Sequence, residues 1–162
     1  MPAVTALSKF SSNQYSTVYG DCAGDLVINQ FFIDLTAAQV VNGNFFDVGV
    51  LPAYHTVTDM VLIPDDLDSN GTPTITLDVG IVSGTPGDAT SNRTIGAEFF
   101  SADIGARTGT LARMSLASGF KVIPTEADRS IGVKISAASA TAAAGRVRLL
   151  VTMGTTDHKV QF

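Results

Sequence analysis

FFDVGVLPAYHTVTDMVLIPDDLDSNGTPTITLDVGIV, residues Phe45 to Val82, reads as strand, corner, strand, tight turn and strand. Ile75, Leu77, Val79 and Ile81 alternate with Thr74, Thr76, Asp78 and Gly80, the period-two pattern of a strand with one buried face. Thr56 to Ile63 is also strand-like, but apolar on both faces toward its end. Asn70-Gly71 lies between the two runs, and Asn-Gly flanked by strand patterns is a strong short-range hairpin signal. This predicts that the two strands are hydrogen-bonded neighbours. Pro52, which cannot donate to a ladder, suits the corner that ends the Phe45 to Leu51 strand.

Outward from this centre, Leu26 to Leu35 (LVINQFFIDL) is a strand, and Thr36-Ala-Ala-Gln39 fits a capping box over a single helical turn. Ile131, Val133, Ile135 and Ala137 alternate with polar or small partners, as do Val147, Leu149, Val151 and Met153, so both segments read as half-buried strands. ASATAAAG between them is a small-residue loop. Phe120 to Ile123, before Pro124, reads as a short strand. Glu98 to Ile104 and Leu111 to Leu116 fit either an edge strand or a helical turn. The segment GTPGDATSNRTIG is a long loop, the kind of connection on which partner contacts concentrate. About eight strands with irregular connections predict a mainly β fold, a two-sheet antiparallel sandwich of the jelly-roll kind. An immunoglobulin-like sandwich is the second choice, less favoured because the chain has no Trp for its core. Residues 1–25 are read as an N-terminal arm, 26–154 as the sandwich and 155–162 as a C-terminal tail.

Composition bounds the function. Hydrophobic residues make up 45% of the 162 positions and charged ones only 15%, which describes a bland surface suited to self-association or partner binding. A formal net charge of -5 sets the chain against nucleic-acid phosphates, so no nucleic-acid partner is expected. Cys22 stands alone, which rules out an internal disulfide. No apolar run nears the roughly 18 residues that span a bilayer, and MPAVTALSKFSS lacks a secretory pattern, so synthesis in a cytoplasm and no membrane partner are expected.

Few residues point to chemistry. Asp66-x-Asp68-x-Asn70-Gly71 matches the start of a calcium loop, but position twelve is Leu77 where a bidentate Glu is needed, and the flanks are strands. Asp66, Asp68 and Asn70 are therefore a weak calcium candidate against a plain acidic turn. His55 and Asp59, four apart in a strand, lie roughly 13 Å apart, too far for a catalytic pair. Cys22, His55 and His158 lack zinc-ligand spacing. No phosphate loop is present, and no cofactor is expected. Arg146 and Arg148 sit on the polar face of the last strand, where pairing with an acidic neighbour is the alternative to the default of solvated charge. The arm aromatics Phe10, Tyr15 and Tyr19, the corner residues Tyr54 and His55, and the turn residues Asp66 and Asp68 are the candidate partner-binding residues.

The segments TAAQVVNG, FFDVGVLPAYHTVTDMVLIPDDLDSNGTPTITLDVGIVSG, IGVKISA and AAGRVRLLVTM, from Leu26 to Met153, resemble the small capsid cement or decoration proteins of tailed bacteriophages. The resemblance rests on the LPA corner, the DDLD turn and the AAG strand ending together. It implies a virion structural protein, not an enzyme, on the outer capsid surface. Its implied partners are the major capsid protein and further copies of itself, as a homodimer or homotrimer. The competing class is a tail-associated or carbohydrate- and receptor-binding sandwich, for which Tyr54 is the one candidate aromatic.

Overall fold

The computed structural model describes residues 6–7, 25–89 and 92–155. Its strands are β1 (Ala6–Leu7), β2 (Leu26–Leu35), β3 (Phe45–Leu51), β4 (His55–Pro64), β5 (Thr76–Val82), β6 (Phe100–Asp103), β7 (Ala112–Arg113), β8 (Arg129–Ala137) and β9 (Gly145–Thr155). One sheet has the order β1-β3-β8-β5-β6 and the other β2-β9-β4-β7. All pairings are antiparallel except the two-residue β1, which lies parallel to β3. From β2 to β9 the sheet orders interleave as in an eight-stranded jelly roll, the predicted fold.

The core forms where the alternating apolar residues of the two sheets meet. Phe31, Ile33 and Leu35 from β2, Met60 and Leu62 from β4 and Val147, Leu149 and Val151 from β9 face Phe46, Val48, Leu77, Val79, Ile131 and Val133 from the other sheet. Gly49 belongs to this contact, because a Cβ there would lie 2.4 Å from the Phe31 ring. A bulge between Asp47 and Gly49 keeps β3 in register with β8 while Phe31 approaches the bare glycine backbone.

The predicted hairpin does not form. β4 and β5 lie in different sheets, and residues 65–75 cross from one to the other. Leu62 on β4 and Leu77 on β5 do line one core, but from opposite sides. Alternation shows that a strand has a buried face and does not show which partner lies beside it. Gly71 does not adopt the positive φ that a two-residue hairpin of this kind needs. Instead Asn70 Oδ1 accepts the Thr72 N–H at 2.9 Å, an Asx turn within the crossing.

A second correction concerns residues 117–123. Ala117–Phe120 is a short helix, α1, and Phe120 and Ile123 are exposed. The remaining strand is β7, two residues long and too short to leave a period in the sequence. The helical turn after Leu35 is present at Ala37–Gln39, where the Gln39 side chain accepts the Thr36 N–H at 2.9 Å.

Candidate functional site

β4 carries the predicted contact residues at its two ends. Tyr54 and His55 stand at its start, while Asp66, Asp68 and Asn70 follow its finish at Pro64. Ten strand residues span about 33 Å, so the two groups form no common site. Phe10, Tyr15 and Tyr19 lie outside the described residues.

At the acidic turn, Asp68 is buried to 1% exposure and works as a backbone clamp. Its Oδ2 accepts the N–H groups of Thr74, Ile75 and Ala140 at 2.7, 3.2 and 2.8 Å, and its Oδ1 accepts that of Thr141 at 2.8 Å. The clamp ties the crossing to the ASATAAAG loop between β8 and β9. Burial alone would raise the carboxyl pKa, but the four donated hydrogen bonds outweigh it and hold the group far below the ordinary carboxylate range. Both of its oxygens are thus engaged by backbone amides. Asp66 is exposed and accepts the Asp68 N–H at 3.0 Å. Asn70 Nδ2 donates to Thr141 Oγ1 at 3.1 Å. Among the described residues no group of three His, Cys, Asp or Glu side chains is placed to hold a metal ion.

At the opposite end Tyr54 is half-buried and takes a left-handed φ of 61°, uncommon for a bulky residue. The corner is held by Tyr54 N–H to Thr125 O at 2.8 Å and Ala53 N–H to Asp128 Oδ1 at 2.8 Å. His55 is buried, with Nδ1 2.8 Å from Ala53 O, an arrangement that places the proton on Nδ1. Asp59 is bound by Arg113, with Nε to Oδ1 at 3.1 Å, and that hydrogen bond lowers its pKa. Asp59 is thus engaged by Arg113 across the β4–β7 pair.

Sequence reasoning missed a buried ion pair beneath the long loop. Asp47 and Arg93 are both almost wholly buried, with Arg93 Nη1 2.7 Å from Asp47 Oδ2. Arg93 Nη2 donates to Ser130 Oγ at 2.8 Å, and that hydroxyl donates to the same Asp47 oxygen at 2.7 Å. Arg93 also reaches back to Ser83 O and Asp88 O, so it draws the loop onto the outer face of the β3-β8-β5 sheet. Ile95 packs there against Phe45 and Val82. Gly132 leaves room for it, since a Cβ at that position would lie 2.9 Å from Ile95 Cδ1. The only local signals were Arg93 in a polar loop and Asp47 in an apolar strand, 46 residues apart. The loop base is therefore folded onto its own sheet.

The other sheet has no such cover among the described residues. On its outer face Leu26 and Ile28 of β2 are 63% and 62% exposed. Arg146 and Arg148 are paired, contrary to the solvated default: Arg146 bridges Asp34 at 2.6 Å and lies over the Phe32 ring, and Arg148 bridges Asp65 at 2.9 Å. The hydrogen bond from Arg148, with that from the Arg146 backbone, lowers the Asp65 pKa. On the far edge Ile104, Leu111 and Arg107 line a cleft of about 380 Å³. No described helix is long and apolar enough to cross a membrane.

A jelly roll whose polar side chains are occupied in clamping its own backbone, with apolar residues left at its edges, has the features of a protein that works through its surfaces. The chain shares 37% identity, with a TM-score of 0.89, with a chain of the Ralstonia phage GP4 capsid, over 94% of this chain and 98% of that one. A chain of the cyanophage Pam1 capsid asymmetric unit is 28% identical with a TM-score of 0.66, over 86% of this chain and 91% of that one. No protein-family model and no curated protein sequence matches. The chain belongs to the family of bacteriophage capsid proteins represented by the GP4 capsid chain, and its role is that of a virion structural protein.

Proposed function

We propose that this protein is a cement protein, which binds the outer surface of the assembled phage capsid and stabilises it by bridging major capsid protein subunits. The observation that carries the reading is near end-to-end likeness to a capsid chain, in a compact sandwich whose apolar side chains are exposed at its edges. The net charge of -5 agrees with a place away from the packaged DNA. The mechanism is linkage: a protein that binds only the assembled shell stabilises it by RT ln(1 + [L]/Kd) per site, about 2.7 kcal/mol at a hundredfold excess over Kd. Tyr54 and Asp66, sequence-selected partner-binding residues that reach the surface among the described residues, are proposed contact positions beyond opposite ends of β4.

Purified protein added to matching capsids that lack it should co-sediment with them and raise their rupture temperature. Protein that stays in the supernatant would sink the proposal. Removing residues 1–24 should leave the sandwich folded and abolish co-sedimentation if the arm bridges subunits. Undiminished binding would exclude the arm from the contact.

A further inference from the structure

Asn-Gly occurs twice in the chain, at Asn42-Gly43 and at Asn70-Gly71. In such a pair the glycine's backbone nitrogen can attack the carbonyl carbon of the preceding Asn side chain, because no Cβ on the glycine obstructs the approach. Both asparagines are exposed, yet the fold treats the two pairs differently. Gly43 N–H donates to Ile135 O at 2.9 Å, and Asn44 O accepts the Ile135 N–H at 2.9 Å. The peptide that would have to turn toward the Asn42 side chain is therefore fastened to β8. Gly71 N–H, in contrast, has no acceptor among the described residues, and the space where a Cβ would stand is open to 4 Å.

The Asn70 side chain is also held in a reactive posture. Its Oδ1 accepts the Thr72 N–H at 2.9 Å, and its Nδ2 donates to Thr141 Oγ1 at 3.1 Å. The Asx turn folds the carboxamide back along the Gly71 peptide, which keeps Cγ beside the attacking nitrogen. Thr72 N–H is aimed at the oxygen on which negative charge develops during the attack. The Thr141 hydroxyl, which accepts from Nδ2 at rest, can turn and donate to that nitrogen as it leaves.

We propose that Asn70 is a self-deamidation site, selected by the fold over Asn42. Gly71 N gives up its proton to water and bonds to Asn70 Cγ. The Cγ–Nδ2 bond breaks, and the nitrogen leaves as ammonia to give a cyclic imide. Water then opens the ring at either carbonyl, which leaves an aspartate or an isoaspartate linkage at position 70. Both products make the chain's charge of -5 more negative by one, in the same turn as exposed Asp66, and both remove the amide donor to Thr141. This goes beyond the capsid reading and does not depend on it, because the reaction needs no partner.

Peptide mapping by mass spectrometry, after incubation of the purified protein at mildly alkaline pH, tests it. In the folded protein, conversion at position 70 should run about tenfold or more ahead of position 42, with isoaspartate among its products. In strong urea, where the contacts that distinguish the two pairs are lost, the two positions should convert at similar rates. An Asn42 that reacts as fast as Asn70 in the folded protein, or an Asn70 that stays intact, would overturn the proposal. So would a preference for position 70 that persists unchanged in urea, or a product free of isoaspartate, which would mean hydrolysis without ring closure. Thr141→Val, at an exposed position, should slow conversion at position 70 about tenfold. An unchanged or faster reaction would remove Thr141 as the proton donor. Capsid co-sedimentation is scored separately, so an unreactive Asn70 leaves the cement reading standing on its own test.

Discussion

Replacing Asp68 with asparagine strikes the point where the crossing between sheets is fastened to the β8–β9 loop. Four backbone N–H groups converge on this carboxylate, three on Oδ2 and one on Oδ1. Hydrogen bonds to a charged group contribute about 1.5–3 kcal/mol each, and the strands' own ladders offer these four donors no substitute. An asparagine can keep the three bonds on its carbonyl oxygen, without their charge assistance, but turns its amide nitrogen toward the Thr141 N–H. Thr141 is exposed, so its amide can turn to water, and we expect Asp68→Asn to lose about 2–4 kcal/mol. Asp68→Ala abandons all four and should lose about 4–6 kcal/mol, a large part of the 5–15 kcal/mol of an ordinary domain. At roughly 2–4 °C per kcal/mol, the asparagine variant should melt about 4–16 °C lower.

The same clamp sets a pH signature. The folded carboxyl titrates far below its unfolded value of about 3.9, so its stabilisation is complete above that pH and is lost as pH falls below it. The stability gap between the parent and Asp68→Asn should therefore be full at pH 7 and narrow below about pH 4. Urea unfolding followed by far-ultraviolet circular dichroism at both ends of this range measures it. An asparagine variant as stable as the parent at pH 7, or a gap that does not change on acidification, would refute the clamp.

Arg93→Met should destabilise by about 3–5 kcal/mol, because it leaves the Asp47 charge buried with one partner removed; Asp47→Asn in the same chain should recover part of that loss in thermal melts. Gly49→Ala should cost about 1–3 kcal/mol, since a Cβ would enter the Phe31 ring, and urea midpoints will show whether the sheets can separate enough to absorb it. Millimolar calcium should leave the melting temperature unchanged, because the Asp68 oxygens are occupied by amides; a rise that disappears in Asp66→Ala would show a cation at the turn.

The β class, the strands around residues 26, 45, 56, 76, 131 and 146 and the choice of a two-sheet jelly roll could be read from the sequence, because a strand with one buried face leaves a period of two in its residues. The Thr36 to Gln39 turn could be read for a similar reason: a capping box is made within four residues. Local chemistry is written locally. Tertiary structure alone decided that β4 and β5 part at the acidic turn, that Asp68 accepts four backbone amides, and that Arg93 pulls the long loop onto Asp47. Each depends on groups brought together from far along the chain, Asp68 with Ala140 and Thr141, and Asp47 with Arg93 and Ser130. Alternation records that a face is buried and is silent on what buries it. The surface divides in the same way: composition shows that it is bland, but only the sheet order puts Leu26 and Ile28 on one edge and the Ile104–Leu111 cleft on the other.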